Sequence, residues 1–497
     1  MGVVIKQSFW GTVIAYLGVI VGYFNTLYLR AEYFDLSQIG LFTLITANAM
    51  IVSPVSSFGM GSSFIKYFPS FEAGKRNQFF TFLLLITIIG NGLVLLTGFL
   101  LRDHIAARYL ETAPTYINYL SITAIIIVSN SLFELFFSYS RTIMKVIFPS
   151  FLRDVYLRIA SLLLVFGYAI DWWNFNGAVI GLGLIYLLAF VFLFIQLVVY
   201  HGFRFNFSFG FIDKKWRINL LKFGSYSMLL AGSFALLNNV SYDQVTTILG
   251  PEMNGIFTTC FFIAMIVEMP RRNMAKVISP ILSSEFEKNN MAEVEKLYKR
   301  GSITMSVLGL LLFIGIVTNL QSLFDFIPKG SDFQTGFWVV IGVCLVKLSL
   351  MTSSFAGEII NFSEMYKYNL IFQVLAAVIL IALNSIFIAQ WGLNGAVISY
   401  MSAIFFHILL KVAFVRYHFG IHPLMKSHVP LFIIGALVTI SAYFFKTGLH
   451  PVFDITIRSI LTVIVYVFLI YRFRISADIN KIIHSTFERF LKINLPK

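Results

Sequence analysis

The sequence predicts an all-α, polytopic membrane protein of about fourteen transmembrane helices: two six-helix lobes related as parallel repeats, then two C-terminal helices. Three observations predict it. Hydrophobic residues make up 58% of the 497 residues and charged residues only 12%, with a mean hydropathy of +0.83. The apolar residues fall into successive runs of about the twenty residues that a helix needs to cross a bilayer. Short strings from the first half recur in the second at a nearly constant offset.

An ordinary soluble domain carries about 25% charged residues. A soluble core could not hide this much apolar surface, so lipid must solvate it. The net charge of +14 would suggest nucleic acid in a soluble chain. Here it reads as Lys and Arg kept on the cytoplasmic side near anionic head groups, and no nucleic-acid partner is expected. Cys260 and Cys344 both lie inside apolar runs, which argues against a disulfide framework and a Cys-based metal site.

The expected spans are 8–29, 38–65, 78–101, 116–139, 152–170, 177–200, 223–248, 254–279, 301–324, 336–357, 367–390, 394–415, 429–446 and 454–471. The first is too long for a signal-peptide core and no small-residue cleavage pattern follows it, so it reads as an uncleaved span. Orientation follows from the linkers. Those after even spans carry the cations: Lys66, Lys75 and Arg76; Arg141 and Lys145; Arg204, Lys214, Lys215, Arg217 and Lys222; Lys288, Lys296, Lys299 and Arg300; Arg416 and Lys426. The tail adds Arg472, Arg474, Lys481, Arg489, Lys492 and Lys497. Linkers after odd spans are poorer, so even linkers and both termini are expected in the cytoplasm of a plasma-membrane protein. The linker with Glu358, Glu364 and Lys367 gives no direction. The basic, amphipathic stretch 475–495 reads as a helix on the inner leaflet or a docking site for a partner.

The repeat rests on several strings. Trp173-Asn174-Phe175-Asn176-Gly177-Ala178-Val179-Ile180 and Trp391-Gly392-Leu393-Asn394-Gly395-Ala396-Val397-Ile398 agree at six of eight positions, 218 residues apart. Ala49-Met50-Ile51-Val52 recurs as Ala264-Met265-Ile266-Val267, and Gly40-Leu41-Phe42-Thr43 pairs with Gly255-Ile256-Phe257-Thr258, both at 215. Tyr200-His201 and Tyr417-His418 match at 217. The implied division is 1–215, 216–428, two added spans within 429–471 and a basic tail 472–497. Six spans per repeat is an even number, so both repeats enter from the same side, related by an axis along the membrane normal. Two such bundles can rock about a shared cleft, which is the geometry of alternating access.

A charge in the hydrocarbon region costs about 2.5–3.5 kcal/mol on insertion scales and needs a reason. Arg30 ends the first span and Asp243 lies in the seventh; an ion pair between them would account for both, as would snorkelling of the Arg. Glu268, Arg271 and Arg272 sit on the eighth span around Pro270, and Glu268 and Arg272 are spaced to share a helix face. Pro54 is expected to break the second span at nearly the equivalent place, before a small-residue stretch ending in Lys66. Paired interruptions point either to a transport site or to packed kinks. Lys347 lies about halfway along the tenth span and must find a carboxylate or a polar cavity. Arg153 and Asp154 read as an interface pair, Asn130 and Glu134 as polar contacts between helices. An excess of intramembrane cations suits an anionic phosphate or diphosphate and suits a cationic drug poorly. No G-x-x-x-x-G-K-[ST] loop, metal-ligand spacing or Ser/His/Asp arrangement is present, so neither an enzyme nor a cofactor is expected. His104, His201, His418, His422 and His428 are scattered near span ends and read as interfacial.

The run Phe58-Gly59-Met60-Gly61-Ser62-Ser63-Phe64-Ile65-Lys66-Tyr67 resembles the small-residue stretch closing the second span of Wzx-like polysaccharide-export flippases. Phe223-Gly224-Ser225-Tyr226, Asp243, Leu249-Gly250-Pro251, Gly255-Ile256-Phe257 and Pro280 resemble the start of that family's second half. The likeness covers nearly the whole chain through loose motifs. Its superfamily also holds the MATE multidrug exporters and the lipid II flippase. The resemblance implies two lobes in a V, with spans one, two, seven and eight lining a charged cavity. It implies an undecaprenyl-diphosphate-linked oligosaccharide turned from the inner to the outer leaflet, with membrane lipids and a polysaccharide polymerase or export machinery as partners. The cavity role then falls on Arg30, Lys66, Asp243, Glu268, Arg271 and Arg272; Lys347 joins them on depth alone. A MATE-type exporter remains as an alternative, as does, from another class, a membrane polymerase or glycosyltransferase. The short outer linkers leave little room for the latter's catalytic machinery.

Overall fold

The computed structural model describes residues 17–200, 202–210 and 213–491, and among them the regular structure is helical throughout. Among the described residues ten helices are long and apolar enough to cross a membrane, and His428–Phe444 is a shorter apolar helix, which makes this a multi-pass membrane protein. The expectation of about fourteen spans is met in part. The first expected span begins outside the described residues. The fifth is the 13-residue helix Leu157–Ala169, entered through a π turn at Leu152–Tyr156. Lys367–Phe419 runs for 53 residues, or about 80 Å at 1.5 Å per residue, against a hydrocarbon core of about 30 Å. Gly392, with φ of 57° and ψ of −134°, breaks it between the eleventh and twelfth expected spans. The tail helix Ala477–Leu491 is present, whereas Lys492 and Lys497 lie outside the described residues.

By packing, the chain forms two compact units. The first holds 1–258 with 384–392, the second 259–383 with 393–497.

In the first unit, α1 covers residues 17–33 and contains a π turn at Asn25–Leu29. Then come α2 (Leu36–Ser56), α3 (Met60–Tyr67), α4 (Ala73–Leu100), α5 (Arg102–Tyr109), α6 (Leu120–Thr142), α7 (Leu157–Ala169), α8 (Phe175–Ile195) and α9 (Lys214–Leu249). Asp35 starts α2 with a capping box, its side chain accepting from Gln38 N while Gln38 accepts from Asp35 N. The expected break at Pro54 is displaced. Proline disturbs the turn before it, and α2 carries Pro54 inside and continues to Ser56. Ser56 and Ser57 then bond back to the carbonyls of Ser53 and Pro54. The chain breaks at Phe58 and Gly59, both with positive φ. Glycine is required there twice over, because a Cβ would also come within 2.8 Å of Ser227 Cβ on α9. The core beneath is aromatic, with Phe64 stacked on Tyr139 at 5.6 Å and edge-on to Phe80 at 5.0 Å.

α10 (Pro251–Ala264) begins in the first unit and ends in the second. Its start meets the start of α2 reciprocally. A Cβ on Gly40 would strike the carbonyl of Pro251, and one on Gly255 would strike the carbonyl of Leu36. Both pairs are repeat partners, since 255 − 40 and 251 − 36 each equal 215. Residue i meeting j while j's partner meets i's is the pattern of a two-fold contact. Asn254 Nδ2 closes it with a 3.0 Å bond to Gly40 O.

The second unit continues through a 3-10 turn, Met265–Glu268, into α11 (Met269–Glu287). It then runs through α12 (Met291–Phe326), α13 (Phe337–Ser353), α14 (Ala356–Phe362), α15 (Lys367–Phe419), α16 (His428–Phe444), α17 (Pro451–Arg472) and α18 (Ala477–Leu491). The two C-terminal apolar helices pack on α12 through Ile303, Leu310, Ile314, Leu431, Ile434 and Tyr466. A buried polar knot reinforces them. Asp454 accepts from Ser322 Oγ at 2.6 Å, from Thr447 N at 3.0 Å and Oγ1 at 2.7 Å, and from Arg458 Nη1 at 3.2 Å.

Candidate functional site

The second unit gathers charge around Glu268. Pro270 has no N–H to donate, so it suits the first turn of α11, and the 3-10 turn before it brings Glu268 inward until 5% of it is exposed. Glu268 Oε1 accepts from Arg271 Nη2 at 3.0 Å. Oε2 accepts from Arg272 Nη2 at 3.3 Å and from Lys347 Nζ, on α13, at 3.0 Å. The first two contacts are the i,i+3 and i,i+4 pairings that a helix face allows.

Lys347 is enclosed. It is 2% exposed, donates also to Tyr400 Oη at 3.2 Å, and faces the rings of Phe261 and Tyr400 at 5.8 Å each. Arg271 bridges outward, with Nη1 3.4 Å from Glu358 Oε1 on α14 and 3.3 Å from the carbonyl of Ser354. Ser354 holds φ of 48° and ψ of −111° at the end of α13, a strained conformation for a residue with a Cβ. Its hydroxyl and Arg271 Nε are buried without a hydrogen-bond partner among the described residues. Three cations face two carboxylates here, an excess of one positive charge. Lys411 adds to it, with Nζ 3.2 Å from where a Cβ on Gly357 would stand, next to Glu358. Fixed guanidiniums, net positive charge and unused buried donors can hold an anionic oxygen ligand.

The other predicted residues belong to the first unit and are held separately. The expected ion pair between Arg30 and Asp243 does not form. The π turn in α1 changes the direction of the residues that follow it, and Arg30 Nη2 donates to Ser161 Oγ at 2.8 Å with its guanidinium 4.6 Å over the Phe42 ring. Asp243 is buried and pairs instead with Arg108 and the hydroxyl of Tyr109. Asn48 Nδ2 donates to the hydroxyls of Tyr109 and Tyr116 at 3.0 Å each, extending that network onto α2. Lys66 lies 3.8 Å over the Phe223 ring. Arg153 sits within 3.5 Å of Asp154 and 3.7 Å of Glu134, while Asn130 donates to Ser53 Oγ at 2.8 Å.

Several residues of these networks escaped the sequence reading. Lys411 was detectable as a charge inside the twelfth expected span. Glu358 read as a linker charge and Arg108 falls between two expected spans, and nothing local says that a linker folds back onto a buried group. Ser354 and Tyr400 carry no such signal.

No known protein-family model matches the sequence, and no curated protein matches it. Solved structures do. The chain is similar to the lipid II flippase MurJ in an inward closed conformation, at 14% identity with a TM-score of 0.75, over 93% of this chain and 98% of that one. It is similar to an inward-facing multidrug resistance MATE family transporter of the MOP superfamily, at 14% identity with a TM-score of 0.63, over 82% and 94%. A third likeness is to a MOP superfamily transporter from Pyrococcus furiosus described as having a binding pocket of reverse polarity, at 12% identity with a TM-score of 0.56, over 84% and 94%. At such identities the likeness establishes architecture, and the chain has the fold of the MOP-superfamily transporters.

Proposed function

We propose that this protein is a flippase that moves an undecaprenyl-diphosphate-linked oligosaccharide, a polysaccharide repeat unit, from the inner to the outer leaflet by alternating access. The observation that carries the reading is the cation excess around Glu268, where Arg271 and Arg272 are held on one buried carboxylate beside donors with no partner among the described residues. A diphosphate offers the acceptors such donors match, and bidentate guanidinium contacts are the strong form of that recognition. The fold supports it, since a lipid II flippase shares it over 93% of this chain. Arg30, Lys66, Asp243, Glu268, Arg271, Arg272 and Lys347 are the proposed functional set, with Arg271 and Arg272 meeting the diphosphate and Lys347 acting through Glu268. The functional division remains 1–215, 216–428, 429–471 and 472–497. Both termini would lie in the cytoplasm at the inner membrane, and a polysaccharide polymerase or export machinery would receive the product.

A second reading, export of a cationic compound as in MATE transporters, draws on the buried carboxylate of Asp243. Arg108 already neutralises that carboxylate, which weighs against it.

The test is deletion of the gene in its own host, with analysis of surface glycans and undecaprenyl-linked intermediates. Loss of one surface polymer, with its lipid-linked repeat unit trapped on the inner leaflet, is the expected result. An unchanged glycan profile with raised drug sensitivity would replace this reading with the exporter. In the complemented strain, Arg271→Ala/Arg272→Ala should abolish polymer export while the protein stays in the membrane. Normal export by that variant would remove the cargo site from this cluster.

A further inference from the structure

Each repeat has a side-chain bond between the same two of its helices. In the first, Asn130 Nδ2 on α6 donates to Ser53 Oγ on α2 at 2.8 Å. In the second, Lys347 Nζ on α13 donates to Glu268 Oε2, just before α11, at 3.0 Å. Ser53 directly follows Ala49-Met50-Ile51-Val52 and Glu268 directly follows Ala264-Met265-Ile266-Val267, so the two are repeat partners (268 − 53 = 215). Repeat offsets run from 215 to 218, which sets Asn130 against residues 345–348, and Lys347 is 217 further on. One inter-helix bond is therefore neutral in the first repeat and charged in the second.

The neighbours differ in step. At the offset of 215, Arg271 and Arg272 correspond to Ser56 and Ser57. The first repeat has no cation there to hold, and a Ser–Asn bond suffices to join its helices. The second repeat has two, and it has a carboxylate in place of the hydroxyl. That carboxylate, at 5% exposure, would otherwise be drawn wholly toward α11 by its own two guanidiniums.

We propose that Lys347 is a positioning residue. Its ammonium fixes Glu268 from α13, Glu268 holds Arg271 and Arg272 at set positions, and only the guanidiniums meet the anionic cargo group. The proposal rests on the anionic-cargo reading of this cluster. Lys347 has no route to cargo, because Glu268 and Tyr400 take its hydrogen bonds and the Phe261 and Tyr400 rings lie against it. Arg271 and Arg272 have that route, their side chains being 18% and 45% exposed. A guanidinium whose orientation is set beforehand loses less freedom when it binds, and supporting groups of this kind affect affinity without touching the ligand.

The repeat supplies its own test, which is to copy the first repeat's pair into the second as Glu268→Ser/Lys347→Asn. Three cations against two carboxylates become two against one, so the excess of positive charge is unchanged; removing the carboxylate that touches both guanidiniums would by itself favour an anion, so any weakening reports the lost positioning. Full-length protein is purified in lipid nanodiscs and titrated calorimetrically with inorganic pyrophosphate. The transplant should keep its helical content and membrane yield, and bind pyrophosphate about 10-fold more weakly than the unaltered chain. Affinity equal to that of the unaltered chain overturns the proposal. Arg271→Ala/Arg272→Ala separates the two levels. If it loses binding while the transplant keeps it, positioning alone falls. If it binds as the unaltered protein does, or if the unaltered protein does not bind pyrophosphate, the anion-site reading falls and positioning with it. Should the transplant fail to reach the membrane, Tyr400→Phe removes one bond from Lys347 without changing any charge. Binding about 3-fold weaker is then expected, and unchanged binding overturns the proposal.

Discussion

Replacing Glu268 with Ala should cost far more stability than replacing Lys347 with Met, although the two form one ion pair. The asymmetry follows from how each charge is partnered. Without Glu268, Lys347 is left at 2% exposure with Tyr400 Oη, 3.2 Å away, as its remaining hydrogen-bond partner among the described residues. Arg271 loses one of its two carboxylates and Arg272 the one it touches. Removing one partner of a buried pair costs about 3–5 kcal/mol, because the other charge stays buried and uncompensated. Without Lys347, Glu268 still accepts from Arg271 at 3.0 Å and Arg272 at 3.3 Å. Methionine fills the space among the Phe261 and Tyr400 rings, and the loss is that of one hydrogen bond to a charged group, about 2 kcal/mol. Replacing both residues by a neutral bonded pair should cost less than Glu268→Ala, because no buried ammonium is left without a carboxylate, but more than Lys347→Met, because Arg271 and Arg272 still lose Glu268. Reversible unfolding in mixed micelles of mild detergent and SDS measures all three, and the double-mutant cycle isolates the pair's coupling. Equal losses for the two single variants, or a Glu268→Ala protein as stable as the parent, would refute the partner arrangement around Glu268.

Three further outcomes are expected. Asp454→Ala should destabilise the protein by about 3–5 kcal/mol in the same unfolding assay, because it leaves Arg458, 2% exposed, without its carboxylate; an unchanged unfolding midpoint would contradict this. Gly40→Ala and Gly255→Ala should each cost about 1–3 kcal/mol and act alike, since each new methyl meets a carbonyl of the other helix start; strongly unequal effects would argue against the reciprocal contact. Asp243→Asn should cost only about 1 kcal/mol, since the amide still accepts from Tyr109 and Arg108, with its side chain 54% exposed, can turn to water. Asp243→Leu should cost more by orphaning the Tyr109 hydroxyl, and equal stability of the two variants would remove the carboxylate's role as acceptor.

Hydropathy is a property of consecutive residues, so the sequence by itself determined that this is an all-helical, multi-pass membrane protein. It also exposed a repeat, which survives in strings such as Ala49–Val52 and Ala264–Val267 that need no folding to compare. The grouping of Glu268 with Arg272 was equally legible, because three or four residues on one helix share a face whatever surrounds them. The partners of Lys347, Arg30 and Asp243 were decided by tertiary structure alone. Each bond joins helices far apart in the chain and depends on how each helix is rotated about its axis. In a helix apolar on every side, hydropathy carries no trace of which face turns inward, since lipid and core ask for the same residues. Local departures from the α-helix then reset the rotation: the π turn in α1 ahead of Arg30, and the 3-10 turn that carries Glu268 to Lys347. A single residue of a helix turns the chain by about 100°, enough to exchange one partner for another, as Arg30 exchanged Asp243 for Ser161.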